Sequence, residues 1–159
     1  MGNYVDFEQD FVTRTMLLIE QYHDEILHNK PYHEQFNYTL LINCMLGLIV
    51  LPKEKLDSKI PTDRLTKELK TQMGLINSEI PGTDFTIRSF IQKLRHSIAH
   101  FDIEVQSNDA DFKFDFLLFK DTENGDVFAK FQANEIYPFL TYYTDRLNLN
   151  IEHTKNSNT

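Results

Sequence analysis

The sequence predicts a mainly α-helical fold: a helical bundle with a small antiparallel β-meander before the C-terminal helix. Three observations predict it. Apolar residues recur at helical spacing in several segments separated by proline and polar connectors. One of those segments is apolar nearly all round, as the buried centre of a bundle is. The alternating run Phe112-Lys113-Phe114-Asp115-Phe116 and the turn signal Asn124-Gly125 mark a short sheet late in the chain.

The first helix is expected over Asp6–Asn29. Phe7, Phe11, Met16, Leu17, Ile19, Tyr22, Ile26 and Leu27 fall mostly on one stripe. Asp6, Glu8 and Asp10 sit at its start, where the helix dipole favours negative charge. His28, Asn29, Lys30 and Pro31 mark its end. The second helix, about His33–Leu51, is the all-apolar one. Gly47 within it suggests close approach of another backbone, and Pro52 stops it. A polar connector, Lys53–Pro61, leads to a third helix over about Thr62–Ile76. The chain turns at Ile80-Pro81-Gly82, and Thr83 or Asp84 is the expected N-cap of a fourth helix, Phe85–His100. Phe85, Ile87, Phe90, Ile91, Leu94 and Ile98 form its apolar face.

Beyond Phe101 the period changes. Ile103-Glu104-Val105, Phe112–Phe119 and Val127–Phe131 are the expected strands. A last helix, about Asn134–Asn148, carries Ile136, Phe139, Leu140, Tyr143 and Leu147 on one side. The expected domain is a single one over residues 1–150, with 151–159 a frayed polar tail.

The 159 residues suit one domain with one core, and the composition is that of a soluble globular protein: 41% hydrophobic and 25% charged. Thirteen Phe and seven Tyr, with no Trp, point to a core of large aromatics. The single cysteine, Cys44, excludes an internal disulfide and a multi-cysteine metal site, and reads as a buried, inert hydrophobe. No leader pattern follows Met1, and Thr39–Leu51 is too short to span a bilayer, so a cytoplasmic protein with no membrane partner is expected. The net charge of −8 argues against long non-specific tracking along nucleic acid, although it leaves room for a locally basic pocket.

Such a pocket has one candidate. Between Asp84 and Asp102 the chain carries Arg88, Lys93, Arg95, His96 and His100 and no acidic residue. The plain reading is a solvated basic face on a core helix. The chemical reading starts from residue types. Arginine holds phosphate through a forked, permanently charged donor set, and histidine moves protons near neutral pH. Together they can cut a phosphodiester. His96 and His100 are four apart and share a face, whereas Arg95 and His100 are about 140° apart around a helix. One helix can present both along a groove but cannot stack them, so two copies packed across a dimer would bring two arginines and two histidines around one phosphate. His100 also falls at the expected helix C-terminus, where the dipole attracts positive charge. A zinc reading of His96 and His100, with Asp102 as a third ligand, lacks the glutamate of the zincin pattern. No metal or other cofactor is therefore expected. A phosphate-cradling glycine loop and a nucleophile elbow are missing too. His23, His28 and His33 read as surface residues.

Arg95-His96-x3-His100 resembles the signature of HEPN domains, in which an arginine is followed by Asn, Asp or His and then by a histidine a few residues on. The apolar helix from Phe90 to Phe101 is similar to the one that carries that motif. The run Thr39–Glu54 is similar to an early helix of a bacterial, plasmid-associated branch of HEPN family nucleases, and the hairpin and final helix match that branch's layout. The resemblance implies a HEPN-like helical bundle acting as a homodimer, and a metal-independent endoribonuclease of toxin or phage-defence type. It gives Arg95 the role of phosphate clamp, His100 that of proton-transfer or electrostatic residue, and His96 that of orienting them. Arg88, Lys93 and Ser97 would contact the RNA. A cognate antitoxin protein is a further possible partner. The alternative is a catalytically inactive HEPN dimer that binds nucleotide or RNA, or serves as an adaptor.

Overall fold

A computed structural model describes residues 4–27, 29–50, 57–108 and 114–157. Helix α1 spans Phe7–Tyr22 and is prolonged through His23–Leu27 by a wider, π-type turn. Asp6 caps it by accepting from the Gln9 amide, and the Asp10 carboxylate accepts from the Val5 and Asp6 amides. Val12, Met16 and Ile19 form its buried stripe. Helix α2 covers Asn37–Met45 and also runs into a π-type turn, Leu46–Val50. It starts four residues later than the spacing suggests, because Tyr32–Glu34 form a separate turn. Leu41, Cys44, Met45, Leu48 and Ile49 are buried, as an all-apolar helix requires. Gly47 does mark a close approach, but to a side chain: a Cβ there would lie 3.2 Å from the Phe11 ring, not against another backbone. Pro52 and much of the expected connector lie outside the described residues, as do His28 and Phe112-Lys113.

Helix α3 is only Lys67–Gln72, capped by Thr66, shorter than the expected Thr62–Ile76. Its flanks are claimed by other bonds. Leu65 donates to the Phe85 carbonyl, and Arg64 bridges to Thr86. Gly74 ends the segment at φ +74°, with its missing Cβ facing Pro138. Helix α4 spans Ile87–Ala99. Its cap is Thr86, not Thr83 or Asp84, in a reciprocal box: the Ser89 amide donates to Thr86 Oγ1 at 3.2 Å and the Thr86 amide to Ser89 Oγ at 2.9 Å. Ile87, Phe90, Ile91, Leu94, Ser97 and Ile98 are buried.

Strands β1 (Ile103–Gln106), β2 (Phe116–Lys120) and β3 (Val127–Gln132) form an antiparallel meander in sequence order. Leu117 faces Val105 on one side and Phe131 on the other. Leu117, Phe119, Ala129 and Phe131 turn inward. The β2–β3 turn closes on Asp121 and Asp126, with Gly125 at φ +77° as the Asn-Gly signal requires. The free side of β3 is covered by Glu79, which exchanges backbone bonds with Lys130.

Helix α5 runs Ile136–Ser157, well past the expected end near Asn148. From Ile151 to Ser157 the tail is helical, not frayed as the sequence predicts, because it has somewhere to pack. Ile151 is buried, Glu152 accepts from the Gln9 side chain, and Lys155 pairs with Asp6. Helices α1, α2 and α5 pack together, α4 lies on the end of α2, and the sheet lies on α4. At the meeting point of α4, β3 and α5, the Phe131 ring lies 6.2 Å from Phe90 and 5.1 Å from each of Phe119 and Phe139. This cluster of four of the thirteen phenylalanines fixes α4 against the sheet. Next to it, Glu135 is buried and accepts from the backbone and side chain of both Asn77 and Ser78. It ties the segment before α4 to the start of α5.

Candidate functional site

Helix α4 ends in a Schellman turn. The Asp102 amide donates to the Ser97 carbonyl at 2.8 Å, and the Phe101 amide to Ile98 at 3.1 Å. The residue in the left-handed position of such a turn is usually glycine; here it is Phe101, at φ 60°. A bulky side chain in that conformation costs about 1–2 kcal/mol. Ser97, 1% exposed, tightens the turn further by donating Oγ to the Asp102 carbonyl at 2.7 Å.

The turn sets the positions of the motif. His96 and His100 are both exposed, with rings 6.4 Å apart and inclined by 30°. His100 is the last cap residue, with φ −92° and ψ 0°, so it has already left the helical path. Arg95 sits half-buried on the flank and, among the described residues, has no hydrogen-bond or ion-pair partner. One chain thus joins the two imidazoles and keeps Arg95 to the side.

Two of the residues expected to contact RNA are occupied elsewhere. Arg88 Nε and Nη2 donate to the Ile60 carbonyl at 3.2 and 2.9 Å, and Nη2 also to Ser58, which fastens the connector to α4. Ser97 is buried in the turn just described. Their polarity serves the fold because α4 must hold both the connector and its own C-terminus. Lys93 remains beside the motif, but not as a bare cation. Its ammonium lies 2.6 Å from Asp121 and 5.0 Å from the centre of the Phe128 ring. The hydrogen bond from Lys93, with a second from the Glu123 amide, holds the Asp121 carboxyl below its ordinary value.

These residues border a shallow groove of about 350 Å³ between α4 and the β2–β3 turn, lined by Ser89, Gln92, Lys93, His96, Lys120 and Asp121, among others. Lys120 is likewise paired, with Glu104 at 2.6 Å. The acid-free stretch of sequence therefore meets Asp121 and Glu123 of the β2–β3 turn. Sequence reasoning missed Asp121 and Glu104, since only the tertiary fold brings Asp121 to Lys93 on α4 and Glu104 on β1 to Lys120 on β2. Among the described residues no three His, Cys, Asp or Glu side chains gather as a metal cluster, and no helix is long and apolar enough to cross a membrane. Cys44 is buried in α2, and burial pushes its thiol up to about 11.

A helical bundle with a short meander before its last helix, and an Arg-His-x3-His run closing its most amphipathic helix, has the build of a HEPN domain. The family model described as HEPN pEK499 p136 matches residues 1–154, and the chain belongs to that family. No curated protein and no solved structure matches it. HEPN domains are associated with ribonuclease-type or nucleotide-binding function, and often act as dimers that bind RNA.

Proposed function

We propose that the chain is a metal-independent endoribonuclease of toxin or phage-defence type, working in the cytoplasm as a homodimer whose composite site draws Arg95, His96 and His100 from both copies. The observation that carries this reading is the motif itself: two exposed imidazoles and an arginine that has no partner among the described residues, held at a hydrogen-bonded helix end in a HEPN chain. In the reaction, the RNA 2′-oxygen attacks the adjacent phosphorus. The P–O5′ bond breaks, the 2′-hydroxyl loses its proton and the departing 5′-oxygen gains one. The products are a 2′,3′-cyclic phosphate and a 5′-hydroxyl. Arg95 clamps the phosphate and offsets charge in the pentavalent transition state, where preorganised donors contribute most. His100 transfers the proton or balances its charge, and His96 orients the pair. An antitoxin covering the groove would restrain the activity.

A second reading, a non-catalytic RNA- or nucleotide-binding or adaptor dimer, is favoured by the net charge of −8 and by the pairing of Lys93 and Lys120 with carboxylates. Wild type, Arg95→Ala and His100→Ala should be incubated with tRNA, mRNA and oligonucleotides in chelator. The expected result is cleavage by wild type, ending in cyclic phosphate, and a loss of about a hundredfold or more in either variant. Binding without cleavage by wild type on every substrate would select the second reading.

A further inference from the structure

Phe101 directly follows His100, the C-terminal cap of α4. It is 78% exposed and held at φ 60°. Both features run against the local energetics. A glycine would relax the left-handed position, and a buried ring would gain from leaving water. Neither is used. The two Schellman bonds and the Ser97 latch hold the backbone here, so the ring stands on a fixed point and not on a loose loop. Among the described residues no aromatic ring stacks against it. A strained position beside candidate reacting groups is a place to look for function.

We infer that Phe101 is a stacking platform for a nucleobase flanking the phosphate held by Arg95 and His100. This rests on the endoribonuclease reading. The ribose whose 2′-oxygen attacks carries its base one sugar away from the phosphorus, within reach of the residue adjoining His100. A base inside a duplex has both faces covered by its neighbours, so only an unpaired, splayed base offers a face to a side chain. The charge balance points the same way. A chain of net charge −8, with Lys93 and Lys120 already paired, gains little from general phosphate attraction. A non-ionic contact must then supply a larger share of the binding, and stacking accepts every base because each has a π-face.

The test uses the full chain as wild type, Phe101→Trp, Phe101→Leu and Phe101→Gly. Short single-stranded RNAs carry the fluorescent base 2-aminopurine at each position in turn, with duplexed versions as controls. Quenching, affinity, cleavage, melting temperature and solution mass are read for each protein. Wild type and Phe101→Trp should quench one position of the single strand and not the duplex. Phe101→Leu and Phe101→Gly should lose that quenching, with affinity and kcat/KM about tenfold lower. Phe101→Gly should melt no lower than wild type, which separates a lost contact from a lost fold. Cleavage and binding by Phe101→Gly equal to wild type would overturn the stacking role and leave the ribonuclease reading intact. Quenching by a wild type that cuts nothing would support stacking and overturn the ribonuclease reading. A wild type that binds no single-stranded RNA would overturn both. A halved solution mass in Phe101→Gly would make the ring a contact between copies and overturn the inference.

Discussion

Glu135→Gln isolates a carboxylate on which two distant parts of the chain depend. Glu135 is 5% exposed and takes four donors: the Asn77 amide at 2.9 Å and its side-chain amide at 3.0 Å on one oxygen, the Ser78 amide at 2.9 Å and its hydroxyl at 2.6 Å on the other. Burial pushes the carboxyl up, but the bonds from Ser78 and Asn77 outweigh it, and the net direction is down. Glutamine keeps the shape and one acceptor oxygen. Its NH2 group then faces the Ser78 amide, and that buried donor loses its partner. An unsatisfied buried donor costs about 1–3 kcal/mol, and the retained bonds lose their charge assistance, so the expected loss is about 3 kcal/mol. For a chain of this length that lowers the melting temperature by about 6–12 °C. The sign with pH follows from the lowered carboxyl. Its contribution is present in full above its ordinary value of 4.5 and is lost as the pH falls through the folded-state value. Urea melts of both proteins at pH 7 should therefore differ by about 3 kcal/mol, and the gap should narrow as the pH drops below 4.5. A gap under about 1 kcal/mol at pH 7, or one unchanged on acidification, would refute the reasoning.

Two glycines with the same backbone sign should respond differently. At Gly74 (φ +74°) an added Cβ would lie 2.4 Å from Pro138 Cβ, whereas at Gly125 (φ +77°) it meets open space. Gly74→Ala should cost about 3 kcal/mol and Gly125→Ala only about 1, read from urea melts. The Cys44 thiol, buried and raised to about 11, should resist a thiol reagent at neutral pH in the native protein and react on unfolding.

What the sequence made legible was the periodic part. The stripes of α4 and α5 are strong because each buries one face, and the Asn-Gly turn is a local signal with a local cause. On α1 the expected stripe holds only in part, since Met16 and Ile19 are buried with Val12 while Phe7 and Leu17 are exposed. Boundaries set by partners far along the chain were not legible. Thr86 caps α4 because the Arg64 bridge holds it extended, and nothing near Thr83 or Asp84 announces that. α5 outruns its apolar pattern because Glu152 and Lys155 find partners on α1. The same division runs through the candidate site. Arg95, His96 and His100 stand together in sequence and are placed by one helix end. The roles of Arg88 and Ser97 depend on Ile60 and Asp102, and the neutralisation of Lys93 depends on a turn nearly thirty residues away. The exposure of Phe101 is equally a product of the turn that carries it.

The pairing of α1 with the far end of α5 has a consequence for synthesis. Asp6 and Gln9 meet Lys155 and Glu152 only when both ends of the fold are in place. More than a hundred residues separate the two helices, so a ribosome adding about 5–20 residues per second leaves α1 waiting on the order of ten seconds for α5. During that interval Val12, Met16 and Ile19 have α2 for company but not α5. The bundle around α4 thus closes late in translation, and a chain cut short before α5 would present its motif on an unfinished scaffold.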